Sequence, residues 1–262
     1  LHGNPGSGLS GQAWDRAFDN TGTVVNPSGG ALGGIAVNNS TGDVSQFASW
    51  TVTGWYRREN GGAAPSGGTV LAQSPTSFSP NGSIPGLGTV GFGVRWHSAD
   101  TLRTNINGSL LTGSGSGWGL IDEWVFFAVT YDGTQTSNNV NYYRGFTDSH
   151  SGDPTVQLVG TTTFGGGGVV NFSQGFVIGN RTDDFSRSFD GWIDNVQVFG
   201  AYGDFESGAL DPSGALSLAQ LEAVRLADLN FVPIPEPGAG LAVLAGAAIA
   251  LARFTLRRRK VA

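Results

Sequence analysis

The sequence predicts an all-β domain of antiparallel strands, closed by one short helix and followed by a separate apolar segment. Three observations carry this expectation. Short runs rich in Trp, Tyr, Phe, Val and Thr alternate along the chain with Gly, Pro, Ser and Asn turns. Glycine is abundant, at 43 of 262 residues, and charged residues are few, which describes a loop-rich β protein. Only one stretch before the tail, around Ser217, carries the punctuation of a helix start.

Taken in order, residues 1 to 46 are turn-rich, with Trp14, Phe18, Leu32, Ile35 and Val37 as apolar anchors, and read as short strands in long loops. The first firm strand is Phe47 to Arg57. Trp50, Val52, Gly54 and Tyr56 fall on one face and Thr51, Thr53 and Trp55 on the other, so aromatic residues on both faces imply a sheet covered on both sides. Thr69 to Gln73, Thr89 to Trp96 and Leu102 to Ile106 follow as antiparallel strands. Glu123 to Gly145 reads as a hairpin around the polar loop Gly133 to Asn139. Phe176 to Gly179 and an edge strand, Phe189 to Phe199, close the sheet region.

Ser217-Leu218-Ala219-Gln220 has the form of a capping box, and Leu216 with Leu221 is placed as a hydrophobic staple. Leu218, Leu221 and Val224 continue an apolar stripe toward Leu229. No repeat of 20 to 50 residues is visible, which argues against a solenoid or propeller.

Residues 1 to 231 suit one large β domain, and residues 232 to 262 form the tail. With no Cys, the domain is held without disulfides. Charge is divided unevenly: residues 1 to 231 hold 9 Arg against 19 Asp and Glu, a formal −10, whereas the tail carries +4. An acidic exterior argues against nucleic acid or anionic surfaces as partners. The chain contains no Met and opens at Leu1 without an apolar leader, so Leu1 is read as a processing or fragment boundary.

The tail has three parts: a Pro-rich piece with Pro235, Glu236 and Pro237, an apolar run, and a basic end with Arg257, Arg258, Arg259 and Lys260. The run from Gly238 to Leu256 spans about 19 residues, near the minimum for a transmembrane helix. Arg253 lies near its end, where a long side chain can snorkel to the headgroups. The terminal cations place the C-terminus on the cytoplasmic side and the domain outside. This tail resembles the PEP-CTERM sorting signal of bacterial envelope proteins. That resemblance implies export, processing by an exosortase, and delivery to the cell envelope or its matrix.

Over residues 47 to 229 the domain resembles the concanavalin A-like jelly rolls in their laminin G-like form. The segments that carry the resemblance are FASWTVTGWYRRE, EWVFFAVTYDG followed by NYYRG, and FVIGNRTDDFSRSFDGWIDNVQVF followed by a short helix. Within them, Trp124 opens the central hairpin, Tyr131-Asp132-Gly133 makes its turn, and Gly191 to Asp194 form a Gly-x-Ile-Asp strand. Tyr143-Arg144-Gly145 departs from the Asn-Gly turn of many relatives. The resemblance implies a jelly-roll β-sandwich.

Retaining glycosidases of this fold carry clustered acids on one strand, as in E-x-D-x-E, so that acid and nucleophile sit about 5 Å apart. No such cluster exists here. Glu59, Glu123, Glu206 and Glu222 are isolated from one another, and His2, His97 and His150 make no metal-binding pattern. The expectation is a non-enzymatic module. Calcium, which takes six to eight oxygens, has candidate ligands in Asp19, Asn180, Asp183, Asp184, Asp190 and Asp194; the competing reading is that these acids cap turns. A glycan would need an aromatic face beside polar partners, for which Trp96 with His97, and Trp118 in the loop Gly113 to Gly119, are the candidates. Each Trp has a competing reading as core. The sequence therefore predicts an exported binding module for carbohydrate or matrix. A glycoside hydrolase or lyase of the same fold, and a purely structural or protein-adhesive role, are the alternatives.

Overall fold

A computed structural model describes residues 14–15, 35–37, 46–58, 69–73, 91–97, 101–113, 117–147, 155–171, 176–179, 189, 191–201, 203–204 and 209–230. The chain divides into two units, Leu1–Asn230 and Phe231–Ala262, and every described residue lies in the first. The tail expected over Val232 to Ala262, with Pro235, Glu236, Pro237 and Arg257 to Arg259, falls outside the described residues. Among the described residues no helix is long and apolar enough to cross a membrane.

In chain order the strands are β1 (Trp14–Asp15), β2 (Ile35–Val37), β3 (Gln46–Phe47), β4 (Ser49–Arg58), β5 (Thr69–Gln73), β6 (Phe92–His97), β7 (Thr101–Ile106) and β8 (Ser109–Thr112). They continue as β9 (Trp124–Asp132), β10 (Val140–Phe146), β11 (Gln157–Thr162), β12 (Val170–Asn171), β13 (Phe176–Ile178), β14 (Gly191–Ala201), β15 (Gly203–Asp204) and β16 (Ala209–Leu210). A 3-10 turn, Pro212–Gly214, and helix α1 (Leu218–Leu229) complete the domain. One six-stranded sheet runs β1-β14-β4-β9-β10-β11 and a second runs β2-β13-β5-β6-β7-β8. Paired strands within both are antiparallel.

The pleat of β4 explains how the layers assemble. Trp50, Val52 and Tyr56 face a core shared with Phe92 and Val94 of β6, Leu102 and Ile106 of β7, and Phe127, Val129 and Tyr131 of β9. Trp50 stacks on Phe92 across the two sheets, ring centroids 4.3 Å apart. Trp55, on the opposite face, joins Phe126, Ala128, Tyr143, Val156 and Leu221 of α1 in a second core. The first sheet is thus buried on both faces, as the aromatics on both faces of β4 require, and each fully buried large side chain contributes about 1.5–3 kcal/mol. Gly54 is needed where it stands, because an added Cβ would meet the ring of Phe127 at 2.9 Å. The result is a jelly-roll-like sandwich with one short helix.

Several boundaries differ from expectation. The strand beginning at Phe47 breaks at Ala48, and β3 pairs with β12 instead of continuing β4. β14 is not the sheet edge along its whole length, because Trp14 and Asp15 pair outside Ile193 and Trp192. β8 and β11 were not expected. β8 returns from β7 through Asn107-Gly108, both at positive φ (45° and 83°), which is the two-residue turn that matches strand twist.

The capping box at Ser217 forms as predicted. The buried stripe of α1, however, is Leu221, Arg225 and Asp228, while Leu218 is exposed. Arg225 is accommodated because it donates to the Phe146 carbonyl at 2.7 Å and to Glu222 at 2.8 Å. The bond from Arg225 holds the carboxyl of Glu222 below its ordinary range, with the amide of Val156 as a further donor. The 3-10 turn is strapped to β4 by hydroxyls: Ser49 donates to the Asp211 carbonyl at 2.6 Å and Thr51 to that of Gly214 at 2.7 Å.

Candidate functional site

The two Trp candidates meet at one end of the sandwich. Trp96 Nε1 donates to the Trp118 carbonyl at 2.9 Å, and the Tyr56 hydroxyl donates to the same oxygen at 2.6 Å. Arg58 donates to the Gly119 carbonyl at 2.9 Å and lies over the Trp96 ring, 3.7 Å from its centroid. Trp118 is 0% exposed and Trp96 5%. Neither therefore offers the exposed ring face expected of a sugar platform. The physical reason is that buried Tyr and Trp donors need acceptors, and the carbonyls of a Gly-flanked loop can approach closely enough to supply them. Trp118 is a latch over the core.

His97, half-buried, points the other way, onto the outer face of the second sheet. Here the alternation that sends Phe92, Val94 and Trp96 inward turns Arg95 and His97 outward, and on β7 it turns Thr101, Arg103 and Asn105 outward. The register sets Arg95 opposite Arg103, and Arg103 opposite Thr112; His97 lies opposite Thr101. Two like charges directly opposite each other across a ladder are destabilising. No Asp or Glu occurs on β5, β6, β7 or β8 to offset them. Arg95 is 3% exposed and engaged within the chain. Arg103 is half-buried, has no hydrogen-bond or ion-pair partner among the described residues, and its Nε is sealed from solvent.

The outer face of the first sheet is different, because α1 covers it. Asp228 of α1 accepts from Trp55 Nε1 at 2.9 Å and from Gln197 at 3.1 Å. Burial pushes its carboxyl up to about 6, against the bond from Trp55, and the negative charge of Asp194 adds to the rise. Asp194 also accepts from the Asn195 amide at 2.9 Å. The bulge between Asp194 and Gln197 turns both residues toward the helix. Of the calcium candidates, Asp19, Asn180, Asp183, Asp184 and Asp190 lie outside the described residues, and Asp194 alone is placed. Among the described residues no three acidic or His side chains gather as a metal site.

Arg103 and Asp228 were not singled out from sequence. The alternation in LRTNI could have marked Arg103 as outward-facing. Asp228 had a signal in its spacing, seven residues after Leu221 on one helix face, and in its position in the last turn, where an acid opposes the helix dipole.

No protein-family model matches the chain, and no curated protein matches it. Among solved structures it is similar to a heptameric SAP-like pentraxin from Limulus polyphemus, at 16% identity and a TM-score of 0.45, over 69% of this chain and 71% of that one. It is also similar to domain 4 of AbnA, an extracellular GH43 arabinanase from Geobacillus stearothermophilus crystallised with arabinotriose, at 17% identity and a TM-score of 0.40, over 73% of each chain. Domains LG4-5 of the mouse laminin α1 chain match at 12% identity and a TM-score of 0.35, over 70% of this chain and 41% of that one. Likeness at this level carries no inference about ligand or activity, and the jelly-roll-like assignment rests on the chain's own sheet order and core.

Proposed function

We propose that the domain is a non-catalytic binding module for a glycan or another matrix component. The observation that carries this reading is the asymmetry of the two outer faces. The first sheet is capped by α1, whereas the second turns polar side chains outward on neighbouring strands, with His97, Thr101 and Arg103 partly exposed, Thr112 exposed, and Arg95 and Asn105 buried among them. A rigid sheet with hydrogen-bonding side chains on neighbouring strands suits an extended, hydroxyl-rich ligand. The tail motif supports export, sorting by an exosortase-type enzyme after transient membrane insertion, and residence in the cell envelope or its matrix. Calcium at Asp183, Asp184, Asp190 or Asp194 belongs to this reading as an accessory ion.

A second reading, a glycoside hydrolase or lyase, has one observation in its favour. Asp228, held near a pKa of about 6 beside Asp194, has the environment of a proton donor next to a second carboxyl group. Against it, Asp228 is 6% exposed and its oxygens are occupied by Trp55 and Gln197. One experiment separates the readings: the purified protein is incubated with a panel of neutral and acidic polysaccharides, and both retention and product release are measured. Retention without new reducing ends or unsaturated products is expected. Turnover lost in Asp194→Asn would make the enzyme reading primary, and neither retention nor turnover would favour a structural or protein-adhesive role.

A further inference from the structure

We propose that the β11 edge of the first sheet pairs with the same edge of a second copy of this chain, joining two sandwiches side by side. This interface is separate from the glycan-binding reading and stands whether or not that reading holds. β11 has a neighbour on one side only, β10. Beyond that ladder, the backbone of Gln157–Thr162 makes no hydrogen bond among the described residues, so the amides and carbonyls on its far side are open. Such a row is a template for another strand. The devices that commonly block it, a charged residue or a proline on the strand, are absent from QLVGTT. Instead Leu158 stands 53% exposed, more than any other large apolar side chain among the described residues.

The edge of the second sheet continues this surface. Gly113, directly after β8, lies against the Tyr142 ring of β10, where an added Cβ would meet it at 2.7 Å, so β8 and β11 stand on the same side of the sandwich. β8 (SLLT) also carries no charge, and it exposes Leu110 at 42%. Residues 155 to 171 hold no charged residue at all, in a domain with a formal −10 over residues 1 to 231. That contrast selects the occupant. Two copies repel one another over most of their surfaces, and a strongly charged partner finds nothing to pair with on this edge. An antiparallel copy of β11 meets no like charge in any register, and a twofold contact uses the same strand twice. The bulge at Val159, where Leu158 and Gly160 face Tyr143 and Tyr142, adds twist and keeps the regular run short. The dimer is accordingly weak and concentration-dependent, not obligate.

Sedimentation equilibrium of the full chain tests this over about 1 μM to 1 mM, in low and in high salt. The unchanged protein is compared with Leu158→Lys, with Leu158→Glu and with Leu218→Lys, which alters an exposed leucine on α1 instead, and melting temperatures report folding. A monomer–dimer equilibrium that tightens with salt is expected, because salt screens the repulsion between two acidic copies. Leu158→Lys and Leu158→Glu should each weaken the dimer about tenfold or more, an equimolar mixture of the two should recover most of that loss, and Leu218→Lys should leave it unchanged. A monomer at every concentration would overturn the proposal. So would a dimer untouched by both folded Leu158 variants, since association would then lie elsewhere in the chain, the tail included. Equal weakening by Leu218→Lys would move the contact to α1, and a dimer that loosens with salt would be held by opposite charges and not by this edge.

Discussion

The indole of Trp55 and the carboxylate of Asp228 are hydrogen-bonded at 2.9 Å between the first sheet and its covering helix, 173 residues apart in sequence. The acid is held neutral by burial up to a pH of about 6, against an ordinary value of 3.8. Because the folded-state pKa is raised, the folded protein binds the extra proton between these values. This group's contribution is therefore fully present below about pH 4 and is lost as pH rises through about 6. Two units correspond to roughly 3 kcal/mol at most. Asp228→Asn does not titrate, so its stability should improve relative to the unchanged protein between pH 4 and 7. Urea melts of both proteins across that range check this, and a constant difference would refute it.

Arg225 is 2% exposed and joins α1 to the Phe146 carbonyl and to Glu222. Its replacement by Ala leaves that carbonyl unpaired and Glu222 without its cation. A loss of about 3 kcal/mol is expected. Arg225→Lys should recover part of it, as read by denaturant midpoint.

Trp118→Ala should be among the most damaging changes, at about 3–5 kcal/mol, because it empties a fully buried site. Trp96→Phe removes one of two donors to the Trp118 carbonyl and should lose only about 1 kcal/mol, since Tyr56 still holds that oxygen. Thermal melts of the two variants give the ranking, and comparable losses would contradict the latch.

Among the described residues the members of both cores lie within residues 47 to 229. Deleting residues 232 to 262 should therefore leave a folded domain with its melting temperature unchanged, released into the medium when expressed in a host with the sorting machinery. Loss of cooperative unfolding on deletion would place the tail within the fold.

Calcium bound by Asp183, Asp184, Asp190 or Asp194 would raise the melting transition in excess calcium relative to chelator, by about 2.7 kcal/mol at a hundredfold excess over its dissociation constant. Coincident transitions in the two conditions would remove the ion from the proposal.

What was legible in the sequence follows from how each element is stabilised. β4 and the β9–β10 hairpin declare themselves because both faces are packed, and α1 because its capping box is entirely local. β8 and β11 were missed because they lie at the sheet edges with one neighbour each, and their short SLLT and QLVGTT runs carry little of the aromatic pattern. Trp118 sits in a Gly-rich loop, where nothing local says whether its ring turns in or out. The Arg95–Arg103 rung and the approach of Asp194 to Asp228 are products of register and of a bulge, which a linear pattern does not contain.

The straps on β4 also set an order of events. Its hydroxyls at Ser49 and Thr51 are satisfied by residues 211 to 216, and Trp55 by residue 228. An early segment of the chain thus waits for nearly the last one before its buried polar groups are paired. During synthesis the nascent sandwich cannot lock until some 180 further residues have emerged, and contacts of such long sequence separation make folding slow. A polypeptide that stays open this long remains threadable through a narrow pore until its final turns arrive.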